Sequence, residues 1–216
     1  MKVIIAGSTG MVGQLVLKTC IGSENIDKVV SIVRKPSGTS HHKLSEVVIE
    51  NLEDYANHGH LFKNVDGAFF CIGVYTGQVP DAEFRKITVN YAVAFAEKLK
   101  LESPEATLCL LSGAGADRTE RSRTSFARYK GMAENQISTL ELKFHSFRPA
   151  YIYPDVPRKE PNIGYSILRV FYPLLKLFGK KYSIQSVQLA EAMVNVAMNG
   201  ADKEILENDD ILRYAK

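Results

Sequence analysis

The chain has 216 residues, 45% of them hydrophobic and 24% charged, a composition that excludes a disordered, collagen-like or disulfide-stapled chain and fits one domain over 1–216. Its 27 Lys and Arg against 24 Asp and Glu leave a formal net charge of +3, too small an excess to direct it to nucleic acid. Cys20, Cys71 and Cys109 are widely spaced and form no CxxC pair, so they read as reduced thiols of a cytoplasmic protein.

Lys2 to Ala6 is a short apolar run that predicts a strand, too short for a signal peptide. It passes directly into Gly7-Ser8-Thr9-Gly10-Met11-Val12-Gly13, and a helical pattern follows over Met11 to Cys20. In a loop of this kind the first glycine permits the tight turn. The second lets a diphosphate approach the backbone, and the third lets the helix pack against the strand. The free N–H groups and the positive helix end then hold the phosphates. The loop is therefore expected to bind a dinucleotide.

Lys28 to Val33 is the second predicted strand, and Arg34-Lys35-Pro36 follows it. An acid at that position would bind a ribose 2′-hydroxyl, whereas Arg accepts a 2′-phosphate, so the two cations predict NADP in preference to NAD. Ser37, Thr39, His41 and His42 come next as hydrogen-bonding candidates or as solvated loop. Further strands are predicted at Glu46 to Glu50, Gly67 to Cys71, Ala106 to Leu111 and Lys143 to Phe147. Helices are expected over Ala82 to Leu101, over Ser125 to Leu140 with Ser125 as its cap candidate, and over Val187 to Met198. The histidines, His58-Gly59-His60 included, lack metal-ligand spacing. Strand–helix alternation repeated this often predicts an α/β fold, a doubly wound parallel sheet of the Rossmann type.

Past the sixth strand the character changes. Arg148 to Pro161 holds Pro149, Pro154, Pro157 and Pro161 and reads as a loop. With the apolar, partly basic stretch from Ile163 it forms a small helical covering region, 149–181, on the ligand side of the sheet. No run reaches the ~18 uncharged apolar residues of a membrane span, because Arg169 and Lys176 interrupt Ile163 to Phe178. Asp117 to Lys130, with Arg118, Arg121, Arg123 and Arg128, reads as a solvated, mobile loop before a helix.

The glycine loop, Arg34, the Cys71-Ile72-Gly73 strand end, Leu110-Leu111-Ser112 and Phe147-Arg148-Pro149 together resemble the atypical short-chain dehydrogenase/reductases. Lys130-Gly131 and Leu206-Glu207-Asn208 are similar to motifs of their Tat-interacting-protein-like, NADPH-binding branch. The resemblance spans nearly the whole chain. It implies cofactor contacts from the loop, Gly73 and Lys130, and a Ser–Tyr–Lys catalytic set in which Tyr donates a proton as hydride arrives. Ser112 and Lys130 match two members of that set, but Phe126 stands four residues before Lys130, where the resemblance calls for Tyr. Gly113 stands where relatives often carry a second serine. Tyr129 lies about 100° round the helix and cannot replace Phe126. Tyr75, Tyr151 and Tyr153 are alternative hydroxyl donors, and Asn90 is a candidate polar residue near the site.

Three function classes stay open: a weak NADPH-dependent carbonyl reductase, a catalytically degenerate dinucleotide-binding module with a protein partner, and a sugar-nucleotide epimerase. The last needs the same Tyr and usually a larger substrate domain. The substrate is not legible.

Overall fold

The computed structural model describes residues 1–155 and 182–215. Strands β1 (Lys2–Ala6), β2 (Lys28–Val33), β3 (Leu44–Val48), β4 (Gly67–Phe70), β5 (Thr107–Leu111), β6 (Lys143–Arg148) and β9 (Ile205–Glu207) form one sheet in the order β3-β2-β1-β4-β5-β6-β9. Every pairing in it is parallel. The order reverses between β1 and β4, which opens a crevice at their carboxyl ends. The doubly wound sheet is the predicted fold.

Side chains alternate across each strand and so feed two cores. Ile4, Ala6, Val30, Ile32, Phe70 and Leu108 face one side with helix α4 (Tyr91–Glu102). Val3, Ile5, Val29, Phe69 and Cys109 face the other, covered by α1 (Gly13–Gly22) and α6 (Ser186–Asn199). Double coverage is why these strands read as continuous apolar runs. On the first side Phe95 meets Tyr55, Phe62 and Phe70 at ring separations of 6.2, 5.2 and 5.6 Å, and a short helix α2 (Gly59–Phe62) supplies Phe62.

The helix expected over Ala82 to Leu101 runs as α3 (Asp81–Arg85), a π-helical turn (Lys86–Asn90) and α4 without interruption. Helix α5 covers Ser125–Ser138. Its N-cap is Thr124, and the Ser125 hydroxyl serves Asp81 instead of the helix end, which corrects the expected cap. The third strand lies two residues earlier than predicted, because an edge strand with exposed Ser45 and Val48 has a weak burial pattern.

The proline-rich stretch is not wholly loop. Tyr151–Tyr153 forms β7, between Pro149 and Pro154, and pairs in parallel with β8 (Ser183–Gln185). Three residues free of proline are enough for that ladder. Helix α7 (Asn208–Tyr214) closes the described chain. The expected helix over Ile163 to Phe178 and the rest of the covering region from 156 to 181 lie outside the described residues.

Phe95 is fully buried among aromatic rings. Phe95→Ala should cost ~3–5 kcal/mol in urea unfolding, whereas a loss below about 1 kcal/mol would contradict this packing.

Candidate functional site

The glycine loop is shaped by two positions that exclude a side chain, Gly7 and Gly13. Gly7 has φ +90°, and a Cβ there would lie 2.9 Å from the Cys71 carbonyl carbon and the Ile72 amide nitrogen. A Cβ on Gly13 would overlap the Gly7 carbonyl outright, so helix α1 starts in contact with the end of β1 only because Gly13 has none. Gly10 is exposed, its amide donates to the Gly7 carbonyl at 3.0 Å, and its own Cβ position would be merely tight, 3.3 Å from that oxygen. Ser8 turns inward, its hydroxyl 2.6 Å from that of Ser31 on β2, so its side chain anchors the loop.

A cavity of about 820 Å³ runs along the carboxyl ends of the central strands. Gly10, Met11 and Val12 line one part, Gly73 follows β4, and Ser112, Gly113, Phe126 and Lys130 line another. The structure thus brings six of the predicted site residues, Gly10, Met11, Val12, Gly73, Ser112 and Lys130, to one cavity. Gly7, Ser8, Thr9 and Gly13 shape the loop without lining it. Among the described residues nothing lies within 4 Å of the Gly73 Cβ position. Arg34 and Lys35 stand exposed just past β2, outside the cavity, with no ion-pair partner among the described residues. Ser37 binds the Glu46 carboxylate through its amide (2.9 Å) and its hydroxyl.

Lys130 is 8% exposed, and its Nζ donates to the Leu111 carbonyl at 2.8 Å. Burial pushes its pKa down to about 8, against the opposing pull of Glu134. Glu134, one turn further along α5, is fully buried. It accepts the Ser112 hydroxyl at 2.6 Å, the Ser146 hydroxyl at 2.7 Å and Nε of Arg148 at 3.0 Å, and a second Arg148 nitrogen completes a fork. Burial alone would raise its pKa. The Arg148 guanidinium and the two hydroxyls outweigh that and hold the carboxyl below its usual range.

Close approach of the loop after β5 to α5 depends on Gly131, where a Cβ would overlap the Asp117 carbonyl. Asp117 in turn accepts the Thr119 hydroxyl at 2.7 Å and the amides of Thr119, Arg121 and Ser122, while Arg118 pairs with Glu204 at 2.7 Å. The segment read as a mobile, solvated loop is therefore an Asp-centred turn. Asn208 ties the other wall by accepting the Ala150 amide at 2.9 Å and donating to the Ser183 carbonyl at 3.1 Å.

Tyr75 and Tyr151 line the cavity, and Tyr153 does not. Tyr129 points away, its hydroxyl donating to Asp81 at 2.6 Å. Asn90 also lies off the site, donating to Glu53 at 2.8 Å. Two residues earlier, in the π-helical turn, Thr88 lines the cavity, and its buried hydroxyl has no hydrogen-bond partner among the described residues. Its only signal in the sequence is a polar residue on an apolar face. π-turns collect at functional sites, and an orphaned buried hydroxyl requires an explanation. Among the described residues no group of three or more His, Cys, Asp or Glu is arranged to hold a metal, and no helix is long and apolar enough to cross a membrane.

An open cradle at the switch point of a doubly wound parallel sheet defines a dinucleotide-binding protein of Rossmann type. Solved structures agree on that fold. MoeE5 in complex with UDP-glucose and NAD superposes with a TM-score of 0.72 at 15% identity, covering 99% of this chain and 80% of that one. Yeast methylglyoxal/isovaleraldehyde reductase Gre2 complexed with NADPH gives 0.71 at 14% identity, covering 96% and 77%. No family model matches the chain. Among curated proteins, FMP52, mitochondrial, of Debaryomyces hansenii is 31% identical over 223 residues, covering 97% of this chain and 91% of that protein. Protein HTATIP2 of Rattus norvegicus is 28% identical over 226 residues, covering 100% and 89%. The chain belongs to the family of these relatives, the atypical short-chain dehydrogenase/reductases, which is a family of nicotinamide-dinucleotide-binding proteins.

With a folded pKa of about 8 against an unfolded value of ~10.4, Lys130 releases its proton earlier in the native state. The unfolded state then binds more protons between those values, so this group makes stability rise as pH climbs from 8 toward 10. In unfolding curves the stability of wild type relative to Lys130→Met should therefore be lowest below pH 8, where the buried ammonium is charged, and rise as pH climbs through that window. Parallel curves would contradict the buried ammonium.

Proposed function

We propose that the protein binds NADPH in preference to NADH along this crevice and acts as a weak NADPH-dependent carbonyl reductase. The observation that carries the reading is a single cavity with the glycine loop at one part and Ser112 and Lys130 at another. Gly7, Gly10 and Gly13 shape the cradle, with the Ser8, Thr9, Met11 and Val12 backbone around the diphosphate. Gly73 leaves room where β4 ends. Arg34 and Lys35 would meet a 2′-phosphate at the end of β2, with no carboxylate partner of their own among the described residues.

A bound nicotinamide supplies hydride to a carbonyl carbon. The chain's share is to orient the substrate and handle the proton. Phe126 has no proton to give, and the Ser112 hydroxyl proton is committed to Glu134. The Lys130 ammonium keeps donors beyond the one spent on Leu111, and with a pKa of about 8 it is charged at neutral pH. It serves as ribose ligand and as the remaining acid. Loss of the phenol costs ~10²–10⁴-fold in rate, hence weak turnover. Glu134 acts as a positioning residue for Ser112.

The second reading, a dinucleotide-binding regulatory module with a protein partner, draws on the same two facts: Phe126 and the committed Ser112. Single-turnover consumption of NADPH against a carbonyl panel separates the two, since a module consumes none. The three free, buried thiols suit a reducing compartment, the cytoplasm on this reading.

Calorimetry tests the cofactor preference. NADPH should bind about tenfold to hundredfold more tightly than NADH, the equivalent of ~1.5–3 kcal/mol for an Arg–phosphate contact, and Arg34→Asp should abolish or reverse that ratio. Equal affinities in the wild type would contradict it.

A further inference from the structure

Gly113 follows β5, Phe126 sits in the first turn of α5, and both line the cavity. A Cβ placed on Gly113 would lie 2.5 Å from Phe126 Cζ and 3.4 and 3.5 Å from Cε1 and Cε2. Near-equal distances to the two flanking atoms put that point on the long axis of the ring, beyond Cζ. The ring therefore aims end-on at Gly113, and it is packed against the cluster of Phe84, Val89 and Tyr129. A side chain at 113 and the ring in this position exclude each other. A hydroxyl added at Cζ would extend along the same axis, into the Gly113 backbone. The two departures from the family pattern, Phe for Tyr and Gly for Ser, are thus one steric unit.

We propose that Gly113 and Phe126 form a coupled specificity element that replaces two hydroxyls by an apolar wall and fits the cavity to an apolar carbonyl compound, aromatic or branched, bearing no phosphate or carboxylate. The inference rests on the proposed dinucleotide site and names the substrate class for it. Its surroundings agree: Val74, Tyr75, Pro149, Ile152 and Pro154 continue the wall. Among the described lining residues Lys130 is the one formal charge, and it is shared between the Leu111 carbonyl and, on the proposed reading, the cofactor ribose. An anionic substrate would be desolvated there without adequate pairing.

The test is a double-mutant cycle on ligand binding. Benzylacetone and pyruvate are titrated into wild type, Gly113→Ser, Phe126→Ala and the double variant, with and without saturating NADP⁺, the oxidised cofactor preventing turnover. Benzylacetone should bind and pyruvate should not. Gly113→Ser should weaken benzylacetone about tenfold or more while the Phe126 ring is present but have little effect in the Phe126→Ala background, the signature of direct contact. Equal effects of Gly113→Ser in both backgrounds, or pyruvate binding as well as benzylacetone, would overturn the proposal. Should Gly113→Ser not fold, Phe126→Ala alone still decides: weaker benzylacetone binding supports the wall and unchanged binding refutes it. If wild type binds no NADP⁺, the dinucleotide reading fails, and the cycle is read in the apo protein.

Discussion

The contact between Gly13 and the Gly7 carbonyl sets the geometry of this molecule. Because residue 13 lacks a Cβ, helix α1 starts against the end of β1 instead of a side chain's width away. Gly7 turns the chain at a positive φ in the same few residues. Both constraints act where the strand order reverses, between β1 and β4. The crevice that any doubly wound sheet has at this point is thereby bordered by Gly10, Met11 and Val12, and on the proposed reading the start of α1 faces the diphosphate.

The other wall depends on a buried carboxylate. Glu134 is a fully buried charge, and it is tolerable only because Ser112, Ser146 and Arg148 all donate to it. Those donors come from the ends of β5 and β6, and Arg148 reaches on to Glu207 at the end of β9 at 3.1 Å. One side chain of α5 thus fixes three strand ends. The same helix carries Lys130 into the cavity, Phe126 onto Gly113, and Gly131 against Asp117. On the proposed reading, catalytic potential and its attenuation both lie on one face of α5, where Phe126, Lys130 and Glu134 are spaced four apart.

Much of the fold was legible because parallel strands buried on both faces leave unmistakable apolar runs: β1 and β2 fall where the sequence puts them. The edges were not. Strands β7, β8 and β9 have three residues each and borrow their stability from tertiary neighbours, so no local pattern marks them. The glycine loop, Ser112 and Lys130 could be read because motif and position coincide. Glu134 could not, since a Glu within a helix looks like surface until two strands bring it partners. Thr88 was missed because a π-turn shifts which helix residues face inward, and Asn90 was named only because relatives of the family often keep a polar residue near that point.

Whether the glycine loop is a dinucleotide cradle is tested most directly at Gly10. Its Cβ position is crowded only by the Gly7 carbonyl at 3.3 Å, so Gly10→Val should fold, while the branched side chain would fill the phosphate space. Thermal unfolding is recorded for wild type and Gly10→Val, with and without NADPH. NADPH should raise the melting temperature of wild type and leave that of a folded Gly10→Val protein unchanged. An undiminished NADPH shift in that variant would contradict the cradle.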